Sequence, residues 1–234
     1  MQKISVRDVK ATGCFNGIQD GDEEGIDCGG SCAPCVGGIA TTTTTSPATT
    51  TTTGSTTTTI AAKLCNVDEI VNAVDISTVY SYLSNIAGGR RPAEGWGSSP
   101  DTSYNKQTRD YIENKLIEFG LENVRIESFS YSDGTGYNVI GEVGSGSKQI
   151  VLGAHRDSVP QGPGAVDNGA GTVTVMEIAR VFATRCKEFL NQNGYKVIFA
   201  LFDSEELGIL GSEAYVQANP VSNVRYMLNF DCPS

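Results

Sequence analysis

The chain has 234 residues, 39% of them hydrophobic, which is enough for one domain with a real core and an additional segment. Its formal net charge of -10 argues against nucleic acids and anionic membranes as partners, because neither is held without a basic patch. No apolar run reaches the length of about 18 residues that a transmembrane helix requires, so we expect no membrane span.

Three parts of the chain differ in composition and predict its domain organisation. Residues 1–38 are small, acidic and rich in cysteine, and residues 1–10 lack the apolar core of a secretory signal. Residues 39–62 form a threonine-rich linker, since fourteen of the nineteen residues from 41 to 59 are threonine. That composition is typical of a disordered, mucin-like spacer open to O-glycosylation. Residues 63–234 have the composition of a globular domain.

The amino-terminal segment contains four of the seven cysteines, Cys14, Cys28, Cys32 and Cys35. Disulfide bonds in an oxidising exterior are the favoured interpretation, with three possible connectivities. Calcium is the second, because Asp20, Asp22 and Glu24 resemble the start of an oxygen-ligand loop. Ser31 stands where an EF-hand needs glutamate, so an EF-hand is not supported. Zinc is the third, since the spacing lacks paired Cys-x-x-Cys motifs. An odd set remains in the globular part, so one thiol is expected to be free or paired elsewhere: Cys65, Cys186 and Cys232.

The globular part alternates helical and strand periodicity, which predicts an α/β layer architecture. In chain order the pattern predicts a helix over 66–85, a helix over 106–119 ended by Gly120, strands over 123–131, 137–143 and 149–154, a helix over 168–184, a strand over 196–202, a helix over 209–219 closed by Pro220, and a strand over 225–230. Charged residues follow several of these strands, at the sheet edge where open α/β folds gather their active sites.

Three motifs among these residues suggest metal chemistry. In His155-x-Asp157 the acid can hydrogen-bond the ring and fix its tautomer, leaving the other nitrogen for a metal, although such a pair is often structural. Asp167 lies in a glycine-rich turn that lets its carboxylate approach a ligand, as do many turns without function. Glu205 and Glu206 are adjacent like charges that a cation would stabilise, or two solvated glutamates at a helix N-terminus.

Taken together in order, these motifs resemble family 28 of the metallopeptidases, the two-zinc aminopeptidases. The resemblance covers residues 64–234 and is carried by His155-x-Asp157-Ser158, the run from Gly162 to Gly171, Glu205-Glu206-x-Gly208-x-x-Gly211-Ser212, and Asn229-Phe230-Asp231. It implies a three-layer α/β/α sandwich on a mixed, mostly parallel sheet of the zinc exopeptidase type.

The resemblance also implies a role for each site residue. Asp167 would bridge two Zn²⁺ ions, His155 and Asp231 would complete the first site, and Glu206 would bind the second. Glu205 would be the general base that takes a proton from the attacking water, and Asp157 would orient His155. The peptide bond after the bridging aspartate is often cis in this family, so Asp167-Asn168 is a candidate for that conformation.

One departure from the family pattern concerns the second zinc site. The family needs a histidine well downstream of the Asp231 position, and His155 is the only histidine of this chain. We therefore expect the second site to be incomplete, the domain to be truncated at its carboxyl end, and the chain as given to be inactive or weakly active.

The predicted function is that of a secreted or cell-surface zinc exopeptidase that removes amino-terminal residues from peptides. A carboxypeptidase or a glutaminyl cyclase would use nearly the same motifs, and a non-catalytic surface module for binding is the competing class. A redox protein is disfavoured, because no Cys-x-x-Cys lies beside the βαβ units. The motifs do not predict the preferred side chain or the oligomeric state.

Overall fold

A computed structural model of the chain describes residues 65–96 and 101–233. The predicted cysteine-rich segment 1–38 and linker 39–62 lie outside the described residues. The helices and strands, in chain order, are α1 Val67–Val71, α2 Ile76–Ile86, α3 Ser103–Glu118, β1 Glu122–Tyr131, β2 Gly134–Val143, β3 Lys148–His155, α4 Gly171–Arg185, α5 Lys187–Asn193, β4 Tyr195–Phe202, α6 Leu210–Ala218 and β5 Val224–Asn229.

The strands form one mixed sheet in the order β1-β2-β4-β3-β5. Strand β2 runs antiparallel to both of its neighbours, whereas β3 is parallel to β4 and to β5. Four of the five described strands therefore point the same way, and only β2 is reversed. The carboxyl ends of β4, β3 and β5 meet at one edge of the sheet, where the predicted site residues follow them.

Helices cover both faces of the sheet. The larger core lies between the sheet and the helices α2, α3 and α4, where the side chains of Ile112, Met176 and Phe199 are fully buried. The opposite face of the sheet packs against α6 through Phe202 and Tyr215, whose rings meet edge to face. Strands buried on both faces explain the nearly continuous apolar runs of β3 and β4. The predicted α/β sandwich is confirmed.

The predicted helix over 66–85 is interrupted in the structure. Helix α1 ends at Val71, and α2 begins after Asp75, whose carboxylate accepts hydrogen bonds from the backbone N–H groups of Ser77 and Thr78. Asp75 is thus an N-cap, which satisfies donors that a continuing helix would pair internally. Apolar periodicity runs through the break and hides it in the sequence.

The predicted helix over 168–184 also differs from the structure at its start. Helix α4 begins at Gly171, and the irregular turn Ala165–Ala170 precedes it, with Asp167 and Asn168 outside helical φ/ψ. The sequence pattern does not predict helix α5, because its seven residues are too few for a clear periodic pattern. Gly194, with φ of 71°, ends it in the left-handed conformation.

A disulfide joins Cys65, just before α1, to the buried Cys186 at the end of α4. Cys232 is exposed and is the one cysteine of the described ranges without a disulfide partner, in agreement with the odd count in the globular part. Within residues 65–96 and 101–233, no helix has the length and apolar character needed to cross a membrane.

Candidate metal centre

The site residues lie at the carboxyl ends of three adjacent parallel strands. His155 is the last residue of β3, Glu205 and Glu206 follow β4, and Asp231 follows β5. Asp167 reaches the same place from the irregular turn that precedes α4. The five side chains come from segments distant in sequence, and the parallel register of the sheet brings them together.

The imidazole of His155 is buried and occupies the centre of this group. Its Nε2 atom lies 3.0 Å from Asp167 Oδ1, 3.7 Å from Asp231 Oδ1 and 3.9 Å from Glu205 Oε2. Carboxylate oxygens from three different segments therefore approach the same ring nitrogen. The carboxylates of Asp167 and Asp231 are themselves about half exposed, so they are open to a ligand from solvent.

The geometry of three of these residues fits a metal ion. One nitrogen of His155 and one oxygen each of Asp167 and Asp231 lie within 4.8 Å of one another. Two ligand atoms bound at about 2.1 Å around one tetrahedral zinc stand roughly 3.4 Å apart. The distances of 3.0 and 3.7 Å from Nε2 bracket that value. Imidazole nitrogen with carboxylate oxygens is also a donor set that suits a borderline divalent metal.

Asp157 connects the histidine to the two glutamates. Its side chain is fully buried, and Oδ1 lies 3.3 Å from Nδ1 of His155, which has no hydrogen-bond partner of good geometry. The same carboxylate accepts the backbone N–H of Glu205 at 3.1 Å and that of Glu206 at 3.2 Å. Asp157 thus holds the loop after β4 against the end of β3.

The two glutamates are in an electrostatic environment that opposes their ionisation. Burial raises the pKa of Glu205, and Asp157, Asp231 and Asp167 raise it further, while His155 lowers it. Burial and the charge of Asp167 likewise raise the pKa of Glu206. One carboxylate oxygen of Glu206, Oε1, is buried without a hydrogen-bond partner. A positive charge brought to this place would relieve both conditions.

The same negative field acts on His155. Burial lowers the pKa of the imidazole, but the close approach and charge of Asp157, with the charges of Glu205 and Asp167, outweigh it and raise the pKa to about 9. The acidic groups therefore favour a positive charge at the centre of the site, which a proton or a metal cation can supply.

Beneath the site lies a buried ion pair. Arg156 and Asp203 are both buried, with Arg156 Nη2 donating to Asp203 Oδ2 at 2.7 Å. Asn105 joins them, because its Oδ1 accepts from Arg156 Nη1 and its Nδ2 donates to Asp203 Oδ1. These contacts fix the ends of β3 and β4 to α3, and so fix the backbone from which His155 and Glu205 project.

The motifs gave no indication of Arg91, a second buried arginine near the site. Its guanidinium donates only to backbone carbonyl oxygens, those of Ile86, Arg156, Pro163 and Gly164. Burial lowers its pKa to about 10, and Asp157 is the main group that opposes this effect. The dipeptide Arg90-Arg91 in a glycine-rich loop resembles a solvated charge pair, and no sequence signal distinguishes the buried member.

The irregular turn carries Asp167 toward the histidine. Gly164, with φ of 61°, occupies a left-handed conformation in which a Cβ would overlap the carbonyl oxygen of Asp167. The peptide bond between Asp167 and Asn168 is cis, as the family resemblance implies. The backbone path of the turn therefore requires glycine at position 164.

With this geometry established, the chain can be compared with known proteins. Residues 138–233 match the model of peptidase family M28. The resemblance carried by the four sequence motifs is confirmed. The probable leucine aminopeptidase 2 of Trichophyton verrucosum is 37% identical over 122 residues, which are 50% of this chain and 23% of that protein. The leupeptin-inactivating enzyme 1 of Streptomyces exfoliatus is 34% identical over 131 residues, 54% of this chain and 29% of that protein. The chain thus spans less than a third of the length of either relative.

Solved structures agree on the fold. A Zn-dependent exopeptidase from Parabacteroides distasonis superimposes with a TM-score of 0.54 at 22% identity, over 68% of this chain and 62% of the other. The glutaminyl cyclase of Porphyromonas gingivalis superimposes with a TM-score of 0.55 at 18% identity, over 69% of this chain and 60% of the other. The α/β sandwich of these structures is therefore also the fold of the globular part.

Proposed function

We propose that the protein is a zinc-dependent exopeptidase that releases amino-terminal residues from peptides. The observation that carries this proposal is the spacing of His155, Asp167 and Asp231, whose ligand atoms are separated as they would be around one divalent metal ion. The relatives from Trichophyton species named leucine aminopeptidase 2 support the direction of attack, from the amino end of a peptide.

The proposal assigns the metal ligands as the motifs predict. His155 and Asp231 would hold one Zn²⁺ with Asp167, and the oxygens of Asp167 and Glu206 would face a second. A bound metal ion supplies a Lewis acid that polarises the scissile carbonyl and lowers the pKa of water. The unpartnered buried oxygen of Glu206 supports its role as a ligand, because a buried acceptor without a donor is costly unless a cation satisfies it.

Glu205 is proposed as the general base. Its carboxylate lies 3.9 Å from Nε2 of His155, close to the ligand group but outside the set of three atoms that fits one ion. The raised pKa of Glu205 brings the carboxyl group toward the range in which it can both accept a proton from water and return it to the leaving amine. Asp157 would hold both His155 and the Glu205 backbone in register.

A cavity beside the ligands offers room for a substrate group. It has a volume of about 170 Å³, and its lining combines His155, Glu205 and Asp231 with the polar Ser212 and Asn229 and with three apolar side chains: Phe202, Ile209 and Met227. Apolar side chains near the reacting groups are suited to a hydrophobic side chain of the substrate, and the acidic groups are suited to a free α-ammonium group.

The test is hydrolysis of aminoacyl p-nitroanilides by the full-length protein, with and without a chelator. We expect release of nitroaniline from substrates with a free amino group, loss of activity on chelation, and recovery with Zn²⁺. Peptides with an acetylated amino end serve as the control and are expected to remain intact. Hydrolysis that continues in the presence of the chelator, or hydrolysis of the acetylated peptides, would contradict the proposal.

A glutaminyl cyclase is the second candidate, since cyclases of Porphyromonas gingivalis and Macrostomum lignano share the fold. It would convert amino-terminal glutamine to pyroglutamate with release of ammonia, using a metal site in the same place. Ammonia release from glutaminyl peptides, without cleavage of leucyl p-nitroanilide, would favour the cyclase over the exopeptidase. A protein that binds partners but performs neither reaction would be the non-catalytic module.

We also propose an extracellular or cell-surface location. The disulfide between Cys65 and Cys186 supports it, because such bonds persist in oxidising compartments. Detection of the protein in the medium of its source cells, with that disulfide intact, is the expected result.

A further inference from the structure

Two of the proposed metal ligands, Asp167 and Asp231, lie outside helices and strands, in two different segments of the chain. Asp167 lies in the irregular turn before α4, and Asp231 follows β5, an outer strand that pairs with β3 alone in the described sheet. Both carboxylates are about half exposed. Something other than regular secondary structure must therefore fix the distance between them.

The side chain of Asn168 makes that connection. It is fully buried, and Nδ2 donates to the carbonyl oxygen of Phe230 at 2.8 Å. Its Oδ1 accepts the backbone N–H of Cys232 at 3.3 Å and that of Gly171 at 2.9 Å. The amide of Asn168 thus binds the backbone of the two residues that flank Asp231. Asn168 itself directly follows Asp167 in the sequence.

The contact leaves no free space. A Cβ on Gly171 would overlap both Oδ1 of Asn168 and the carbonyl oxygen of Phe230. The start of α4 therefore approaches the Asn168 amide as closely as its backbone allows. Only a residue without a side chain fits at Gly171, which accounts for the glycine that ends the motif run.

The chemistry of the amide is specific to this position. An alanine would leave the N–H of Cys232 and the carbonyl of Phe230 without side-chain partners. An aspartate would retain both acceptor contacts, but it would place a carboxylate oxygen against the Phe230 carbonyl, where a donor is required. Asparagine supplies one donor and one acceptor on a side chain of the right length.

We infer that Asn168 is a positioning residue that sets the separation of Asp167 and Asp231 and thereby tunes the affinity of the site for a metal ion. Its amide is engaged by backbone groups of Gly171, Phe230 and Cys232, and it acts through the backbone on either side of Asp231. The inference rests on the proposed function in one respect, namely that these aspartates bind a metal.

The experiment measures Co²⁺ binding by the absorption bands of the bound ion, and Zn²⁺ affinity by competition with a chelating dye. For N168A and N168D in the full-length protein we expect affinity about 10- to 100-fold weaker than wild type, the range found when groups that orient metal ligands are removed. We also expect altered Co²⁺ bands, because ligand geometry changes. N168D discriminates between position and charge, since added negative charge alone would strengthen cation binding.

Asn191→Ala is the matched control. The Asn191 amide also bridges two segments, accepting from the backbone N–H and the hydroxyl of Ser145, but at the opposite end of the sheet. We expect N191A to retain wild-type metal affinity and Co²⁺ bands. If N168A does not fold, N168D carries the test, since it keeps two of the three contacts.

The outcomes are distinct. Wild-type affinity and unchanged bands in N168A and N168D would overturn the role of Asn168 while leaving the metal site in place. A wild-type protein that binds no Co²⁺ or Zn²⁺ would overturn the proposed function and this inference together.

Discussion

Two clusters of charged residues in this protein, one around Glu142 and one around His155, differ in how the charge of their carboxylates is balanced. Glu142, at the far side of the sheet, lies 3.1 Å from Arg125 and 2.9 Å from Lys196 and accepts a hydrogen bond from Asn123. Burial acts to raise the pKa of Glu142, but these partners outweigh it and lower the pKa. The carboxylates around His155 have no lysine or arginine ion-pair partner among the described residues, apart from the buried pair beneath them.

Acidic residues alone therefore do not mark a functional site. At Glu142 the protein supplies the cations itself, so the cluster is complete and serves stability. At His155 burial and the neighbouring carboxylates raise the pKa values of Glu205 and Glu206, and the carboxylates raise that of the histidine, so the cluster lacks a balancing cation. An arrangement of this kind is stabilised by a cation from solution.

Among replacements in the cluster around His155, that of Glu205 is expected to have the largest effect on turnover. Glu205→Gln keeps the shape of the side chain but removes the proton acceptor, so turnover should fall by about 10²- to 10⁴-fold. Metal content should be unchanged, because Glu205 lies outside the three-ligand group. Steady-state kinetics and metal analysis on the same sample measure both. Glu188→Gln, an exposed site on α5, is the control, and full activity in Glu205→Gln would refute the base assignment.

Removing the histidine should abolish metal binding itself, and not only turnover. His155→Ala takes away the central ligand, and we expect metal affinity to fall by more than about 100-fold, beyond the range for residues that only orient ligands. Because His155 is the only histidine, a nitrogen NMR spectrum of the wild type contains one imidazole, and Zn²⁺ should shift its Nε2 signal. A spectrum unaffected by Zn²⁺ would show that the ring is not a ligand.

A stability change remote from both clusters provides a reference for these effects. Removing the Cys65–Cys186 disulfide, which spans 121 residues of sequence, should cost about 2–5 kcal/mol of unfolding free energy. Urea unfolding of the double Cys-to-Ser variant measures it. Cys232→Ser, at an exposed thiol, is the control and should unfold like the wild type. An equal loss of unfolding free energy in Cys232→Ser would mean that replacing any cysteine by serine, and not loss of the disulfide, causes the effect.

The balanced cluster should give the smallest effect, and one that depends on pH. Glu142→Gln should lower stability by about 1–2 kcal/mol at neutral pH without changing metal affinity. Since the folded-state pKa of Glu142 is lowered from 4.5, its contribution is present above that pH and is lost as the pH falls through the folded value. The stability difference between wild type and variant, measured on metal-free protein, should shrink below pH 4.5. A constant difference would contradict the ionic explanation.

Much of this organisation could be predicted from the sequence, and the failures have physical reasons. Strand patterns and the glycine-rich turn place His155, Asp167 and Asp231 at the same edge of the sheet, and the structure brings them within reach of one ion. Their roles as ligands stay predictions until a metal is bound. The interruption after α1 was missed because capping by Asp75 leaves the apolar period intact.

The buried supports of the site could not be predicted. Arg91 donates only to backbone carbonyls of segments up to 73 residues away, and such a partnership leaves no pattern in its own sequence neighbourhood. Asn168 lies within a motif, yet its neighbours across the site, Phe230 and Cys232, are known only once β5 is paired with β3. Contacts to distant backbone depend on tertiary structure, which periodicity does not report.

The pairing of β5 has a further consequence for stability. His155 ends β3 and Asp231 follows β5, so an ion shared by the two would fasten the carboxyl ends of neighbouring strands to each other. Because a ligand that binds only the folded arrangement stabilises it by mass action, saturating metal would suppress fraying of this outer strand. Amide hydrogen exchange along β5 would then slow with rising Zn²⁺, making the edge of the sheet a reporter of how fully the ion site is occupied.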